Sequence, residues 1–484
     1  MLQSYIRRHR RLTIAGIILA PTILLLVLIA VRVIPLPGQG EAAIFGTPAN
    51  PFRQPLQLSH DLYTNADSQH STELEPDSYS YGSTIVTAFQ AGRFANGGSS
   101  NTGWATSTDG GQTWKSGFLP GTTQFAGGPY TRVSDPAVAY DSKHHTWMIS
   151  ALAEVGNGPT LATHTVIVSL STDGGLTWSK PYKVVDGGST YYDKDWITCD
   201  TSSTSPYSGS CYIEWDNDDK GGLILMSTSK DGGLTWSKPQ TTADSVLGLG
   251  GQPLVQPNGT VIVPIAGYGN MSLRSFISKD GGQTWSKAAL IANINGNVLP
   301  SAQIDGAGKV YLVWVDCQFE KNCNATGGGE DAVLQPGEAR EDDLVMSTTI
   351  DGLHWTQPQL IPVDPPGSGI DHLIPGIGVD RSTSGATARL ALAFYYHPAN
   401  CDSTCPYSVG FVSSNDGGAH WTPKITLAGP MDLSWLPVGR NKVGDYISTS
   451  FCGNLAFPVF SIALAPDHGQ MNEAIYTISG GLSV

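Results

Sequence analysis

Runs in which apolar and polar residues alternate recur along most of the chain. HTVIVSLS ends at Ser171 and LTWSKPYKVV follows Gly175; KDWITC, SCYIEWD, LILMSTS, GTVIVPIAG, KVYLVWVD, ARLALAFYY, AFPVFSIAL and EAIYTIS succeed one another from Lys194 onward. A period of two is the mark of strands that bury one face, so the chain reads as β-structure from about residue 59 to its end. The first segment breaks the pattern. From Leu12 to Val31 there is no charged residue, and as a helix this run would span about 30 Å, the thickness of a bilayer core. Arg7, Arg8, Arg10 and Arg11 precede it, which by the positive-inside tendency keeps that end in the cytoplasm. The pattern predicts a basic cytoplasmic tail over 1–11, a single transmembrane signal-anchor helix over 12–35, a linker over 36–58 and one exported β domain over 59–484. The length of the apolar run, closed by Arg32 and Pro35, favours an anchor over a cleaved signal peptide.

Superimposed on the strands is a repeated box. STDGGQTW begins at Ser107, STDGGLTW at Ser171, SKDGGLTW at Ser229 and SKDGGQTW at Ser278, followed by the degenerate copies TIDGLHW at Thr349 and SNDGGAHW at Ser414. Its chemistry is that of a tight strand-turn-strand device: Asp accepts backbone N–H bonds, Gly supplies positive φ, Ser or Thr hydroxyls close the turn, and Trp pins it to a neighbouring sheet. Successive box aspartates are on average about 61 residues apart, room for a four-stranded sheet with its loops. Such units repeated radially make a β-propeller. The six boxed units and three further strands after Trp421, completed by an N-terminal strand near Pro55–Leu62, predict seven blades, with six as the alternative.

Composition supports an all-β reading. The 57 Gly and 31 Pro among 484 residues are far more turn-formers than a helical protein carries, and 40% hydrophobic residues suffice for a sizeable core. A formal net charge of -14 argues against a nucleic-acid partner, since phosphate binding relies on a basic surface. Six of the seven Cys fall in close pairs, Cys199 with Cys211, Cys317 with Cys323 and Cys401 with Cys405, which suits local disulfides and an oxidising compartment; Cys452 is left over.

The repeated box resembles the Asp box of the sialidase superfamily, the bacterial neuraminidase repeat proteins, and the resemblance covers roughly residues 72–484. It implies a sialidase-like propeller and an exo-acting glycoside hydrolase, in which a Tyr nucleophile is assisted by a Glu, an Asp serves as acid/base and three Arg grip a substrate carboxylate. Such enzymes stand outside the usual two-carboxylate scheme. GDYISTSF resembles the segment that holds the nucleophile and carries that role to Tyr446. The other parts depart from the family. Where an aromatic-Arg-Ile-Pro segment is expected, the Pro is Pro76 and its neighbour is Glu75; the FRQP string with Arg53 lies too far upstream. No acid occurs between Arg93 and Thr106, where the acid/base Asp belongs, and the expected Glu falls on Ser301 or Gln303. Arg340 and Arg440 are further arginines whose facing the sequence does not decide.

The positions expected to line the channel run acidic instead. Glu75, Asp135, Asp195, Asp371 and Asp445 stand at the start of five repeats, with Lys194 and Arg132 as counter-charges, Arg93 nearby, and Glu214 or Asp216 as helpers on an adjoining strand. Tyr446, Asp135 and Asp195 are the catalytic candidates; Glu75, Arg93, Arg132, Lys194, Glu214, Asp371 and Asp445 are the substrate-binding ones. Converging carboxylates would shift one another's pKa or be held by a cation such as Ca2+, although no cofactor is required; alternatively Asp135 and Asp195 only cap strand ends and turns. Three functions fit: a membrane-anchored extracytoplasmic glycosidase, a glycan-binding propeller without turnover, or a protein-interaction scaffold. The partners are a carbohydrate or glycoconjugate, a protein in the third case, and the membrane only through the N-terminal helix.

Overall fold

The computed structural model describes residues 54–155, 163–267, 271–295, 299–321, 323, 341–401, 404–437 and 443–484. Contacts divide the chain into Met1–Gly46 and a compact unit, Thr47–Val484, to which all of these belong. The anchor helix expected over 12–35 lies outside the described residues, as do Arg53, Arg340 and Arg440. Among the described residues no helix is long and apolar enough to cross a membrane, and the helical segments are four 3-10 turns of three residues each. The single-pass anchor and the membrane localisation built on it therefore have no structural support.

The strands are antiparallel and follow the alternating runs, but the expected seven separate blades need correction. Hydrogen bonding gathers the described strands into six open sheets. One has eight strands, because a single pairing of Ser99 with Val133 fuses the unit that begins with Glu73–Tyr81 to the unit that begins with Arg132–Asp141. The others hold three strands (from Tyr192–Cys199), five (around Val261–Gly267), four (from Ser301–Ile304), four (from Ile370–Val379) and five. No sheet closes on itself, so the equal, closed arrangement read from the repeat spacing is not what forms. In the last sheet Pro55–Gln57 pairs with Glu473–Ile478, so the two ends of the described chain share one sheet, as the N-terminal strand prediction required.

The sheets pack face to face in chain order, and their apolar cores lie between them. One core joins Ala137, Met148 and Val166 of the eight-stranded sheet to Ile197, Ile213 and Trp215 of the next. Another joins Leu373, Tyr395 and Phe411 to Phe460, Ile462 and Ile478 of the last sheet. The expected disulfides Cys199–Cys211, Cys317–Cys323 and Cys401–Cys405 are formed, and Cys452 is free.

The boxes sit where one sheet meets the next. In the copy beginning at Ser229, one oxygen of Asp231 accepts from Thr235 N at 2.9 Å and Ser229 Oγ at 2.9 Å, the other from Thr235 Oγ1 at 2.5 Å, and Trp236 Nε1 donates to Gly233 O at 3.1 Å. Trp236 packs on the core between its own and the preceding sheet. The second glycine of the box has a stricter duty. At Gly175 φ is +80°, and a Cβ would lie 2.9 Å from Val86 Cγ2 of the preceding unit; at Gly282 φ is +76°, and a Cβ would lie 2.2 Å from Thr228 Oγ1. Both the left-handed backbone and the closeness of the preceding strand exclude a side chain.

Two outcomes follow for the boxes. Gly282→Ala combines left-handed strain with a clash against the preceding sheet and should lower unfolding stability by about 2–4 kcal/mol, measured by urea denaturation. Asp231→Ala removes three hydrogen bonds from a partly exposed turn and should cost about 1–3 kcal/mol in the same assay.

Candidate functional site

The first strands of the sheets share an irregularity that builds the site. Pairing to the second strand slips between Leu74 and Asp77, between Ser134 and Ala137, between Asp193 and Trp196, and between Leu373 and Gly376. Inside each slip stands a non-glycine residue at positive φ: Glu75 (55°), Asp135 (50°), Lys194 (51°) and Ile374 (49°). Three of the four precede a proline, which has no N–H to give to a ladder and is tolerated where the pairing is already interrupted. A left-handed L-residue costs on the order of 1–2 kcal/mol, and repeated strain of this kind gathers where function requires it.

Three of these bulges bring charges together. Lys194 Nζ lies 2.6 Å from Asp445 Oδ2 and 3.7 Å from Asp135 Oδ2. Glu75 accepts from Asp445 N at 3.2 Å with one oxygen and from Gln90 Nε2 with the other. Gln90 also donates to Ser134 Oγ at 3.2 Å, and Ser134 Oγ donates to Asp135 Oδ1 at 2.7 Å. Glu75, Asp135, Lys194 and Asp445 are each at most 8% exposed, so two of the carboxyl groups pair with a buried ammonium and the third is buried beside them. Burial, with Asp445 and Asp135 adding like charge, pushes Glu75 up to about 7.

The remaining candidates divide. Arg93 Nη1 donates to Gln90 Oε1 at 3.3 Å and to Gly98 O at 3.1 Å, which sets it at the edge of the cluster. Arg132 is consumed by structure: it pairs with Glu154 at 3.6 Å, donates to Asn96 Oδ1 and Gly97 O, and lies over the Phe94 ring. Asp195 and Glu214 are buried so deeply that both carboxyls are held well above their usual range; Asp195 is close to Ser150, and Glu214 approaches Gly251. Asp371 accepts from Asp342 N, at the edge of the preceding sheet, at 2.8 Å and faces His397 of its own sheet at 3.4 Å. Asp216 pairs in register with Asp193.

Tyr446 is in the right neighbourhood but in a structural posture. Its hydroxyl donates to Pro136 O at 3.2 Å, its ring stands edge-on to Trp196 at 5.1 Å, and burial drives its pKa well above the ordinary phenol value. Ser301 Oγ accepts from Ile377 N at 3.1 Å. The His397, Cys401 and Cys405 side chains come close enough for a metal, but the two thiols are spent in a disulfide.

Three participants escaped the sequence reading. Gln90 bridges Glu75 and Ser134. Asp77 accepts from Val138 N at 2.8 Å and ties two first strands together, with burial raising it to about 7; Glu154 is likewise raised to about 7 by burial despite Arg132. The usable signal was the pairing of Glu75-Pro76-Asp77 with Ser134-Asp135-Pro136, two copies of an acid-proline step at the same place in successive repeats.

Two measurements test this electrostatic arrangement. Lys194→Met removes the ammonium that pairs with Asp445 and Asp135 and should cost about 3–5 kcal/mol at neutral pH, with part of the loss recovered on acidification. Glu75, Asp77 and Glu154 have folded pKa values raised to about 7, so the folded state binds more protons and stability falls as pH rises through the interval from their ordinary values to about 7. Thermal unfolding should therefore show Tm falling across that interval, with a shallower slope in Glu75→Gln.

The comparisons with known proteins agree with the boxes. Residues 166–323 match the BNR repeat-like domain family. No curated protein sequence matches the chain. Among solved structures, similarity is found to a Hadza microbial sialidase (14% identity, TM-score 0.44, covering 84% of this chain and 65% of that one). It is also found to the NanB sialidase from Streptococcus pneumoniae (15%, TM-score 0.44, 89% and 70%) and to the intramolecular trans-sialidase from Ruminococcus gnavus (13%, TM-score 0.42, 87% and 97%). The chain thus spans less than two thirds of the Hadza microbial sialidase. The family match over 166–323 spans three of the six boxes, so this segment is similar to BNR repeat-like domains.

Proposed function

We propose that this chain is a glycoside hydrolase that uses carboxyl groups rather than a tyrosine, and acts on a neutral or amino sugar rather than on a sialoside. The observation that carries the reading is the meeting of Glu75, Asp135 and Asp445 around Lys194, supplied by bulges in successive first strands. Two carboxyls in different protonation states are what acid-assisted glycoside cleavage needs. Glu75, raised to about 7, is the group that can hold a proton near neutrality and pass it to the leaving glycosidic oxygen as the bond to the anomeric carbon breaks. Asp135 is the more loosely held of the two carboxylates beside Lys194; it takes the proton of the water that adds to the anomeric carbon, while Asp445 keeps the ammonium in place. Among the described residues the cluster holds more acid than base, which disfavours an anionic sugar, and Arg132 is engaged elsewhere.

A second reading, a glycan-binding protein without turnover, is favoured by the near-complete burial of the cluster and by its internal salt bridges. The two part on one assay. The full chain is incubated with a fluorogenic sialoside and with neutral and amino glycosides, as wild type, Glu75→Gln and Tyr446→Phe. Hydrolysis of a neutral or amino glycoside that falls at least about a hundredfold in Glu75→Gln and only a few-fold in Tyr446→Phe is the expected result. Sialoside cleavage abolished by Tyr446→Phe contradicts the proposal. Saturable glycan binding without product selects the second reading.

A further inference from the structure

The first strands that carry the acidic cluster at one end carry a different cavity at the other. Ser78, Tyr79 and Ser80 follow Glu75 in its strand, Thr449, Ser450 and Phe451 follow Asp445 and Tyr446, and Asp380 and Arg381 follow the strand that contains Ile374. At about 3.3 Å per residue, the three to six positions along these strands place this cavity on the order of 10–20 Å from the cluster. Its volume is about 190 Å³, space for a small polar molecule.

Its lining is unlike the acidic end. Hydroxyls dominate: Ser78 Oγ is 2.7 Å from Ser450 Oγ and 3.0 Å from Ser448 Oγ, and Ser80, whose hydroxyl donates to Phe451 O, and Ser382 also line it. Asp380 is fully occupied, bound by the Arg389 guanidinium and by Ser382 N and Oγ at 2.8 and 2.7 Å. Arg381 differs. Its Nη1 donates to Tyr79 Oη at 2.6 Å and its guanidinium lies 5.0 Å from the centre of the Tyr79 ring, a stacking that fixes the plane of the group. With Asp380 balanced by Arg389, Arg381 gives the cavity a net positive charge in a chain of net charge -14.

We propose that this cavity is a second binding site, separate from the acidic cluster, for a small polyhydroxylated carboxylate of the sugar-acid type. The planar guanidinium of Arg381, already oriented by Tyr79, takes the carboxylate through two parallel N–H bonds, and the hydroxyls of Ser78, Ser80 and Ser450 exchange hydrogen bonds with those of the ligand. Gln303, the only amide side chain on the lining, supplies both a donor and an acceptor.

The test is calorimetric titration of the full chain with glucuronate, with glucose and inorganic sulfate as comparators. Glucuronate is expected to bind saturably, and glucose and sulfate each at least about tenfold more weakly, because one lacks the charge and the other the hydroxyls. Arg381→Gln should weaken glucuronate at least about tenfold and Arg381→Lys by less, since an ammonium keeps the charge and loses the fork. Gln303→Glu, which leaves the Arg381 and Tyr79 contact untouched, should also abolish binding through repulsion and guards against misreading an unfolded Arg381 variant. Glu75→Gln should bind glucuronate as wild type does, which separates this site from the hydrolytic one. No glucuronate binding at millimolar concentrations, equal binding of glucose or sulfate, or wild-type affinity in a folded Arg381→Gln protein would overturn the proposal.

Discussion

Everything specific about this protein depends on one backbone constraint, a first strand that cannot stay in register with its neighbour. Where Glu75, Asp135 and Lys194 adopt positive φ, two ladder positions are given up and the strand is bent. The cost is borne three times over within successive units, and the return is that side chains from separate sheets meet. Asp77 shows the same logic at the next position: its carboxylate accepts the Val138 amide of the neighbouring unit's first strand, a bond between units that regular pairing would not make.

The carboxylates of the chain fall into two electrostatic populations that reflect two tasks. Box aspartates are held at lowered pKa by turns that direct amides and hydroxyls at them; in Asp351 and Asp416 a histidine joins the donors. They are structural, and their donors favour the ionised form. Glu75 is the reverse case, raised by burial and by the like charges of Asp445 and Asp135, with Lys194 bridging those two. A protein that only needed to hold sheets together would gain more from apolar contacts at these places than from a buried ion pair with a third acid beside it.

The boxes and the strand runs were legible because they are local. An octapeptide with Asp, two Gly and a Trp announces its turn, and period-two alternation announces its strands; the strand Pro55–Gln57 and the three disulfides followed from the same short-range logic. The grouping of strands into sheets was not legible, since the fusion of the first two units rests on the single pairing of Ser99 with Val133. Nor was the second box glycine fully explained by turn chemistry: Gly175 is also required because Val86, 89 positions earlier in sequence, leaves no room for a Cβ. At the site, Glu75, Asp135 and Asp445 were named from their position at the start of a repeat, with Lys194 as a nearby counter-charge, and these four lie together; Asp371, named by the same rule, and Arg132, named as a counter-charge, are engaged in contacts of their own. Tyr446 followed from the resemblance, but its hydroxyl is committed to the Pro136 carbonyl, a contact across 310 residues that no local pattern encodes.

The account stands or falls on Glu75 holding a proton near neutrality inside the Lys194 cluster. The direct measurement is a carbon-13 NMR titration of the side-chain carboxyls of glutamate, with the Glu75 resonance assigned by its loss in Glu75→Gln. The account predicts a Glu75 midpoint near pH 7, displaced in Lys194→Met. A midpoint at the ordinary glutamate value, unmoved by Lys194→Met, would contradict it.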